Sequence, residues 1–284
     1  MERSRVVWSV RGSEIACGER TLIMGVVNVT PDSFSDGGRF FDPEAAVAHG
    51  LRLVEDGADI LDVGGESTRP GSDPVPVEQE LDRVIPVIKR LAAEVDLPIS
   101  IDTRKPQVAS AAVEVGAVIV NDVAAGREPG MLEVVRDSDA GFILMHMHGK
   151  PKTMQREEPL PAETVVETVH RDLAAWVDAA VEAGIRRECL AVDPGLGFGK
   201  TETGSLRLMR EVDAFLDFGL PLVVGPSRKS FIGHVLGGLP VDDRVEGTAG
   251  AAAYMAAQGA HVVRVHDVRE STRVLRVVDA IVGS

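Results

Sequence analysis

The chain has 284 residues, of which 44% are hydrophobic and 26% charged, and its formal net charge is −14. The acidic balance excludes sequence-independent binding to nucleic acid or to an anionic membrane, because both need basic surface. No apolar run reaches the roughly 18 residues that span a bilayer, and the start MERSRVVWSV lacks a signal-peptide core. Cys17 and Cys189 are too few for a disulfide framework. We therefore expect a cytoplasmic protein without nucleic-acid or membrane partners.

The chain begins with a short hairpin and continues with a repeating unit. The segments VVWSV and EIACGE, on either side of Arg11-Gly12-Ser13, predict a hairpin within residues 1–20. After it, a continuously apolar run that ends in a polar residue is followed by an amphipathic segment, and this unit recurs eight times. Continuous apolar runs are typical of parallel strands buried on both faces. The runs cover residues 22–28, 58–64, 98–103, 118–123, 142–147, 189–195, 221–227 and 261–267.

Helix signals lie between these runs. Asp42 and Pro43 predict an N-cap and a first helical residue, and Gly57 predicts the end of that helix. The apolar stripe from Leu81 to Leu91 predicts a second helix, which Pro86 interrupts and kinks. Further helices are predicted over residues 165–184, 244–259 and 269–282.

Eight strand–helix units in a chain of this length predict an α/β fold, a (β/α)8 TIM barrel. We expect one domain over residues 1–284, with the hairpin of residues 1–20 as a cap on the bottom of the barrel. The alternative is a doubly wound open sheet, although eight parallel units would be large for one.

The loop after the first run is long and polar. It reads NVTPDSFSDGGRFFD and extends from Asn28 to Asp42. Loops of this length in a compact domain are usually functional. Its small polar residues and paired glycines suggest a segment that closes over a site and excludes water.

Nearly every predicted strand ends in a polar or charged side chain, and the active site of a TIM barrel is built at those ends. Any one of them could be a local cap, but a succession that converges on one mouth indicates a site. These strand-end residues are Asn28, Asp62, Asp102, Asn121 with Asp122, His146, Asp193, Ser227 with Arg228 and Lys229, and Arg264 with His266.

The strand-end residues divide into two chemical sets. Carboxylate and amide groups suit a flat heterocycle with an edge of two N–H donors, since a carboxylate can accept both. Cationic donors together with the glycine-rich segments suit a phosphate or diphosphate. The acceptor set is Asp102, Asn121 and Asp193, and the cationic set is Arg69, Lys229, Arg264 and His266.

Two motifs are weaker than they look. GLGFGKT resembles a Walker A loop, but its first glycine position is occupied by Pro194. His146 and His148 could ligate a metal, although two ligands without a third are a weak signal for zinc. Met145 and Met147 alternate with these histidines and therefore lie on the other face of the run.

The ordered blocks VVNVTPDSFSDGG, GGESTRPG, ISIDT, VNDV, LMHMHGKPKTMQ, DPGLGFGKT, GPSRKS and RVHDV resemble the dihydropteroate synthase family, from about residue 22 to the C-terminus. The resemblance implies a pterin-binding (β/α)8 barrel and a homodimer through helices of the C-terminal half. It also implies a reaction: the diphosphate of 6-hydroxymethyl-7,8-dihydropterin condenses with para-aminobenzoate, with Mg2+, to 7,8-dihydropteroate and diphosphate.

The resemblance also implies a role for each matching position. Asn28 would hold the Mg2+, and Ser227 would lie near the aminobenzoate carboxylate. Phe34 and Pro70 would flank the aminobenzoate ring. The residues that would hold the pterin are Asp102, Asn121, Asp193 and Lys229, with Met145 and Phe198 lining its slot. Those around the diphosphate would be Thr68, Arg69, Arg264 and His266. The catalytic set would be Asp102, Lys229, Arg264 and His266.

These roles suggest a dissociative substitution without a covalent enzyme intermediate, in which the pterin binds first and sulfonamides compete for the aminobenzoate pocket. Three other functions remain open from the residues, one of which is a phosphate-binding barrel of another pathway. A methyltetrahydrofolate-type methyltransferase domain uses a similar barrel but would not need the cationic set. A non-catalytic pterin-binding paralogue would not need the intact first loop.

Overall fold

The computed structural model describes residues 4–30, 42–67, 72–149 and 158–284. Two antiparallel strands come first, β1 (Val6–Val10) and β2 (Ser13–Cys17). Eight parallel strands follow: β3 (Leu22–Asn28), β4 (Ile60–Gly64), β5 (Ile99–Asp102), β6 (Ile119–Asp122), β7 (Gly141–Met145), β8 (Leu190–Asp193), β9 (Val223–Val224) and β10 (Val262–Val265).

The parallel strands form a barrel. They are hydrogen-bonded in the order β8-β7-β6-β5-β4-β3-β10-β9. The two ends of this order meet in a single parallel bridge between Val192 and Leu222, where the Val192 N–H donates to the carbonyl of Pro221 at 3.0 Å. All eight predicted runs contain a strand, and the predicted TIM barrel with its N-terminal hairpin is confirmed.

Nine α-helices lie in the described ranges: α1 (Pro43–Glu55), α2 (Val77–Glu94), α3 (Pro106–Glu114), α4 (Met131–Ser138), α5 (Val165–Glu182), α6 (Glu202–Arg210), α7 (Ser230–Val235), α8 (Val245–Ala257) and α9 (Val268–Val282). Short 3-10 helices cover Arg187–Cys189, Val212–Phe218 and Val241–Asp243. None of these helices is long and apolar enough to cross a membrane.

The helix signals hold with one difference. Asp42 is the N-cap of α1, and its carboxylate accepts from the Glu44 N–H at 3.0 Å. Pro86 lies inside α2, which continues on both sides of it rather than being interrupted. Pro86 and Asp82, four residues before it, are both exposed, so water can satisfy the carbonyl that loses its helical donor.

The hairpin closes the bottom of the barrel. Trp8 is fully buried, and its indole N–H donates to the carbonyl of Cys189 at 2.8 Å. Gly141, at the start of β7, leaves room for the hairpin, because a Cβ there would lie 2.6 Å from a methyl of Val10. Trp8 and Val10 pack against one apolar cluster of strand residues: Leu22, Met24, Ile60, Ile119, Ile143, Ala191, Val223 and Val262.

A layer of polar side chains lies directly above this apolar cluster. Ile60, Ile119, Ala191 and Val262 come from alternate strands of the barrel, as in the layered interior of TIM barrels. Two residues further along the same strands, side chains point to the same face. This upper layer is Asp62, Asn121, Asp193 and Arg264, and all of its members except Arg264 are buried.

Candidate active site

An ion-paired cluster occupies the mouth of the barrel. The Arg264 Nε donates to Asp62 Oδ2 at 2.6 Å, and its Nη2 donates to Asp102 Oδ2 at 2.7 Å. The Asn121 Nδ2 donates to the same oxygen of Asp62 at 3.1 Å. The cluster therefore joins four strands, β4, β5, β6 and β10, and it includes three residues that the sequence predicts to bind substrate.

Electrostatics in this cluster favour a carboxyl that changes protonation near neutrality. Burial raises the pKa of Asp102 to about 7, although the Arg264 guanidinium opposes that rise. Burial acts to lower the pKa of Arg264, but the carboxylates of Asp62 and Asp102 outweigh it, and the pKa is raised. Arg264 therefore stays charged. Perturbed carboxyls of this kind concentrate at functional sites.

Asp193 and Lys200 organise the turn after β8. The carboxylate of Asp193 accepts from the Gly195 N–H at 2.7 Å. The buried ammonium of Lys200 donates to the carbonyls of His146 and Gly195, both at 2.7 Å. Gly195 has a φ of +67°, and a Cβ there would lie 1.9 Å from the His146 carbonyl oxygen. Glycine is therefore required where these two loops approach each other.

An apolar cluster lies beside the polar layer. Met145 and Met147 pack with Val123, and Phe198 covers them from the turn after β8. The Lys229 ammonium lies 4.0 Å from the centre of the Phe198 ring, a cation–π contact. The structure thus brings Met145, Phe198 and Lys229 together, as the sequence predicts.

Ser227, His266 and Asn28 form a chain of hydrogen bonds on the other side of the mouth. Ser227 Oγ lies 2.9 Å from His266 Nδ1, and His266 Nε2 lies 3.4 Å from Asn28 Nδ2. The amide nitrogen of Asn28 can only donate, so His266 Nε2 is the acceptor and Nδ1 carries the proton. This network assigns the tautomer and leaves the amide oxygen of Asn28 as its acceptor atom.

Three strand-end residues that the sequence predicts to lie in the mouth of the barrel face away from it. His146 stacks on Trp176 of α5 at 5.3 Å, and burial lowers its pKa to about 2, so it stays neutral. Asp122 caps its own turn by accepting from the N–H groups of Ala124 and Gly126, each at 2.7 Å. The reason is strand alternation, because each follows a side chain that points inward.

Arg228 is the third of these residues. It pairs with Asp267 at 2.7 Å and with Asp242 at 3.1 Å, outside the cluster. Arg244 fixes the same loop by donating to the carbonyls of Arg228 and Lys229. Arg228 thus stabilises the conformation of the loop that carries Lys229.

Phe34, Thr68, Arg69 and Pro70 lie outside the described residues. Within the described part of the chain, no three His, Cys, Asp or Glu side chains are grouped as a metal site, and the zinc interpretation of His146 and His148 gains no third ligand.

Sequence reasoning missed two charged groups near the mouth. In the sequence, Lys200 stands out only as part of a motif that fails as a Walker A loop, although a lysine in an otherwise apolar, glycine-rich turn is itself a signal of burial. Lys105 bonds Glu66 at 2.5 Å and also Glu80, which is buried in the first turn of α2. Thr103, next to Asp102, donates to Glu80 at 2.7 Å. This ion cluster braces the end of β5.

Comparison with known proteins agrees with this geometry. The sequence matches the family described as pterin binding enzyme over residues 24–266. It is 46% identical to the dihydropteroate synthase of Escherichia coli (strain K12) over 258 residues, which cover 91% of this chain and 90% of that protein.

Two solved structures are similar over nearly all of the chain. A dihydropteroate synthase from Xanthomonas albilineans with 4-aminobenzoic acid has a TM-score of 0.91 and 46% identity, and the match covers 98% of each chain. The same species' enzyme in complex with 7,8-dihydropteroate has a TM-score of 0.83 and 45% identity over 92% of this chain and 94% of that one. The resemblance noted in the sequence is confirmed, and the chain belongs to the dihydropteroate synthase family of pterin-binding enzymes.

Proposed function

We propose that this protein catalyses the dihydropteroate synthase reaction: it condenses 6-hydroxymethyl-7,8-dihydropterin diphosphate with para-aminobenzoate to 7,8-dihydropteroate and diphosphate. The observation that carries the proposal is the group of buried acceptors Asp102, Asn121 and Asp193, which lies beside the cations Lys229 and Arg264. Relatives with 4-aminobenzoic acid and with 7,8-dihydropteroate bound share this fold over almost their whole length.

The acceptor side of the mouth suits the pterin. Carboxylates of Asp102 and Asp193 and the carbonyl oxygen of Asn121 can accept from the amino and ring N–H groups of the heterocycle. The apolar cluster of Met145 and Phe198 offers a wall for its flat face. The acceptor groups and the apolar wall together suit the donor edge and the flat ring of a pterin.

The cationic side suits the diphosphate, and Asn28 suits the magnesium ion. Arg264 has five N–H donors, two of which serve Asp62 and Asp102, so others can reach an anion. Asn28 directs its nitrogen to His266 and keeps an oxygen as acceptor, and Mg2+ prefers oxygen ligands from one or two side chains plus substrate phosphates. Asn28 would hold the Mg2+, which would neutralise charge on the diphosphate when bound.

The reaction that we propose is dissociative. The C–O bond between the pterin methylene and the diphosphate breaks, and its electron pair leaves with the diphosphate. Arg264 stabilises that departing charge, and the ionised form of Asp102 stabilises the cation that spreads into the ring. The aminobenzoate nitrogen then forms the C–N bond and releases a proton to water. The amine needs mainly positioning, to which Ser227 contributes at the carboxylate.

We also propose a homodimer and a cytoplasmic location. Tyr254 on α8 and Val277 and Ile281 on α9 are exposed, by 44%, 61% and 68%, and helices of this half would form the contact. Cys17 and Cys189 are both unpaired thiols, which suits a reducing compartment. Sedimentation velocity tests the dimer, since a species with the mass of one chain at micromolar concentration would contradict it.

Diphosphate release tests the activity. The purified protein is mixed with the pterin diphosphate, para-aminobenzoate and Mg2+, and the reaction is repeated without aminobenzoate and with Asp102→Ala and Arg264→Ala. We expect release that depends on aminobenzoate and falls at least 100-fold in both variants, about 3 kcal/mol of transition-state stabilisation. Pterin binding without release in the wild type would contradict the proposal and indicate a binding paralogue.

A further inference from the structure

Asp62 is a member of the polar layer with no role among the predicted substrate-binding residues. It is the third of five residues in β4, and it is fully buried. It pairs in register with Val26 of β3 and Ser100 of β5, so it lies below the strand ends. A carboxylate at that depth is costly unless it is paired, which calls for an explanation of its presence.

One oxygen of Asp62 holds two side chains of the site. Oδ2 accepts from Arg264 Nε at 2.6 Å and from Asn121 Nδ2 at 3.1 Å. Arg264 is on β10 and Asn121 is on β6, each two strands away from β4 in the barrel. Asp62 therefore links Arg264 and Asn121 across the barrel interior, although β10 and β6 are not hydrogen-bonded neighbours.

These two bonds determine what the partners offer to a ligand. With its nitrogen donating to Asp62, Asn121 keeps its carbonyl oxygen as the acceptor for a pterin N–H group. With Nε on Asp62 and Nη2 on Asp102, the plane of the Arg264 guanidinium is fixed by two carboxylates. Rotation of either side chain would break a bond to a buried carboxylate.

We propose that Asp62 is a positioning residue of this active site, which orients the Asn121 amide and the Arg264 guanidinium for the pterin diphosphate. The inference rests on the proposed function and names a residue through which two substrate contacts are organised. Asp62 acts through these partners, because it lies below them and bonds to both.

The first test is Asp62→Asn, which keeps the shape but cannot accept both donors on an anionic oxygen. The dissociation constant of the pterin diphosphate with Mg2+, measured by calorimetry without aminobenzoate, should rise at least 10-fold. The KM for aminobenzoate at saturating pterin should stay within about twofold. Asp122→Asn is the matched control, since Asp122 is an equally buried carboxylate that caps a turn outside the cluster. The control should lose stability but keep its pterin affinity within about twofold.

A double-mutant cycle separates positioning from general damage to the fold. If Asp62 acts partly through Arg264, Asp62→Asn should weaken binding of the pterin diphosphate by a smaller factor in the Arg264→Lys background than in the wild-type protein, and the remaining loss reports on the bond to Asn121. Effects that multiply in the double variant, or an unchanged affinity in Asp62→Asn, would overturn the proposal.

A measurement on the wild-type protein keeps the inference testable if Asp62→Asn does not fold. The Arg264 Nε–H and Asn121 Nδ2–H resonances should be protected from solvent exchange before any ligand is added, because both hydrogens are bonded to a buried oxygen. Rapid exchange at both would overturn the proposal. This readout does not depend on turnover, so failure of the proposed activity and failure of the positioning role are distinguishable.

Discussion

Replacing Lys200 by methionine tests the buried ammonium that joins the loops after β7 and β8. Methionine has a similar length but cannot donate to the carbonyls of His146 and Gly195. Leaving the carbonyl of His146 unpaired costs about 1–3 kcal/mol, and loss of the second bond costs about 0.5–1.5 kcal/mol. The Gly195 carbonyl still accepts from the Phe198 N–H at 3.2 Å. Part of this loss is offset because burying the ammonium is itself unfavourable. We therefore expect the free energy of unfolding at pH 7 to fall by about 2 kcal/mol.

The pH dependence identifies the cause of that loss. Burial lowers the pKa of Lys200 well below its usual value of 10.5. Between the two pKa values the unfolded chain binds more protons than the folded chain, so this lysine makes wild-type stability rise with pH, by at most about 1.4 kcal/mol per pH unit. Lys200→Met lacks this contribution. The stability difference between wild type and variant should therefore grow from pH 7 to pH 9.5.

Urea unfolding at pH 7 and pH 9.5 measures the loss of stability and its pH dependence. Lys89→Met is the matched control, because Lys89 is exposed. The control should change stability by less than about 0.5 kcal/mol. The KM for the pterin diphosphate should rise severalfold in Lys200→Met, since the Gly195 N–H that holds Asp193 loses its anchor. A difference in stability that shrinks as the pH rises would refute this reasoning.

Three further perturbations follow from the described contacts. Trp8→Ala should lower the free energy of unfolding by about 3–5 kcal/mol in urea titrations, because it empties the barrel bottom and removes a donor from Cys189; a loss below about 1 kcal/mol would contradict the role of the hairpin. Phe198→Leu should weaken pterin diphosphate binding about fivefold in calorimetry, since Lys229 loses its aromatic partner, whereas Phe198→Tyr should not. The raised pKa of Asp102 stabilises the fold below about pH 4, and this contribution is lost as the pH rises to about 7. The free energy of unfolding of Asp102→Asn should therefore fall less between pH 4 and pH 7 than that of the wild type. If the free energies of unfolding of the two proteins change in parallel over this range, the raised pKa of Asp102 is contradicted.

The apolar runs predicted the strands because parallel strands are covered on both faces, and Asp42 predicted the start of α1 because its cap is a local interaction. The lengths of the strands and helices were less predictable than their positions. The run at 221–227 contributes only Val223–Val224 to the sheet, and Pro226 in that run has no N–H to donate. The helices α3, α4, α6 and α7 are short, from 6 to 9 residues, and their signals are correspondingly weak.

Residue types at strand ends predicted most of the site, but not which way each side chain points. His146 and Asp122 have suitable chemistry and lie on the outer face, whereas Met145 and Asn121, one residue earlier, point inward. Asp62 and Lys200 act through bonds to atoms far away in the sequence, such as Arg264 Nε and the His146 carbonyl. No local pattern encodes such contacts, since they depend on how the barrel closes.

The single bridge between Val192 and Leu222 makes the contact between β8 and β9 the weakest strand pairing in the barrel. Parting β8 from β9 breaks one bridge, fewer residue pairs than parting any other two neighbouring strands, so deuterium should enter the Val192 amide through local opening there. Asp193 ends the strand on one side of this contact, and Lys229 follows the strand on the other. A ligand bound by both residues would connect β8 to β9, and its binding should slow the local opening of the barrel at this point.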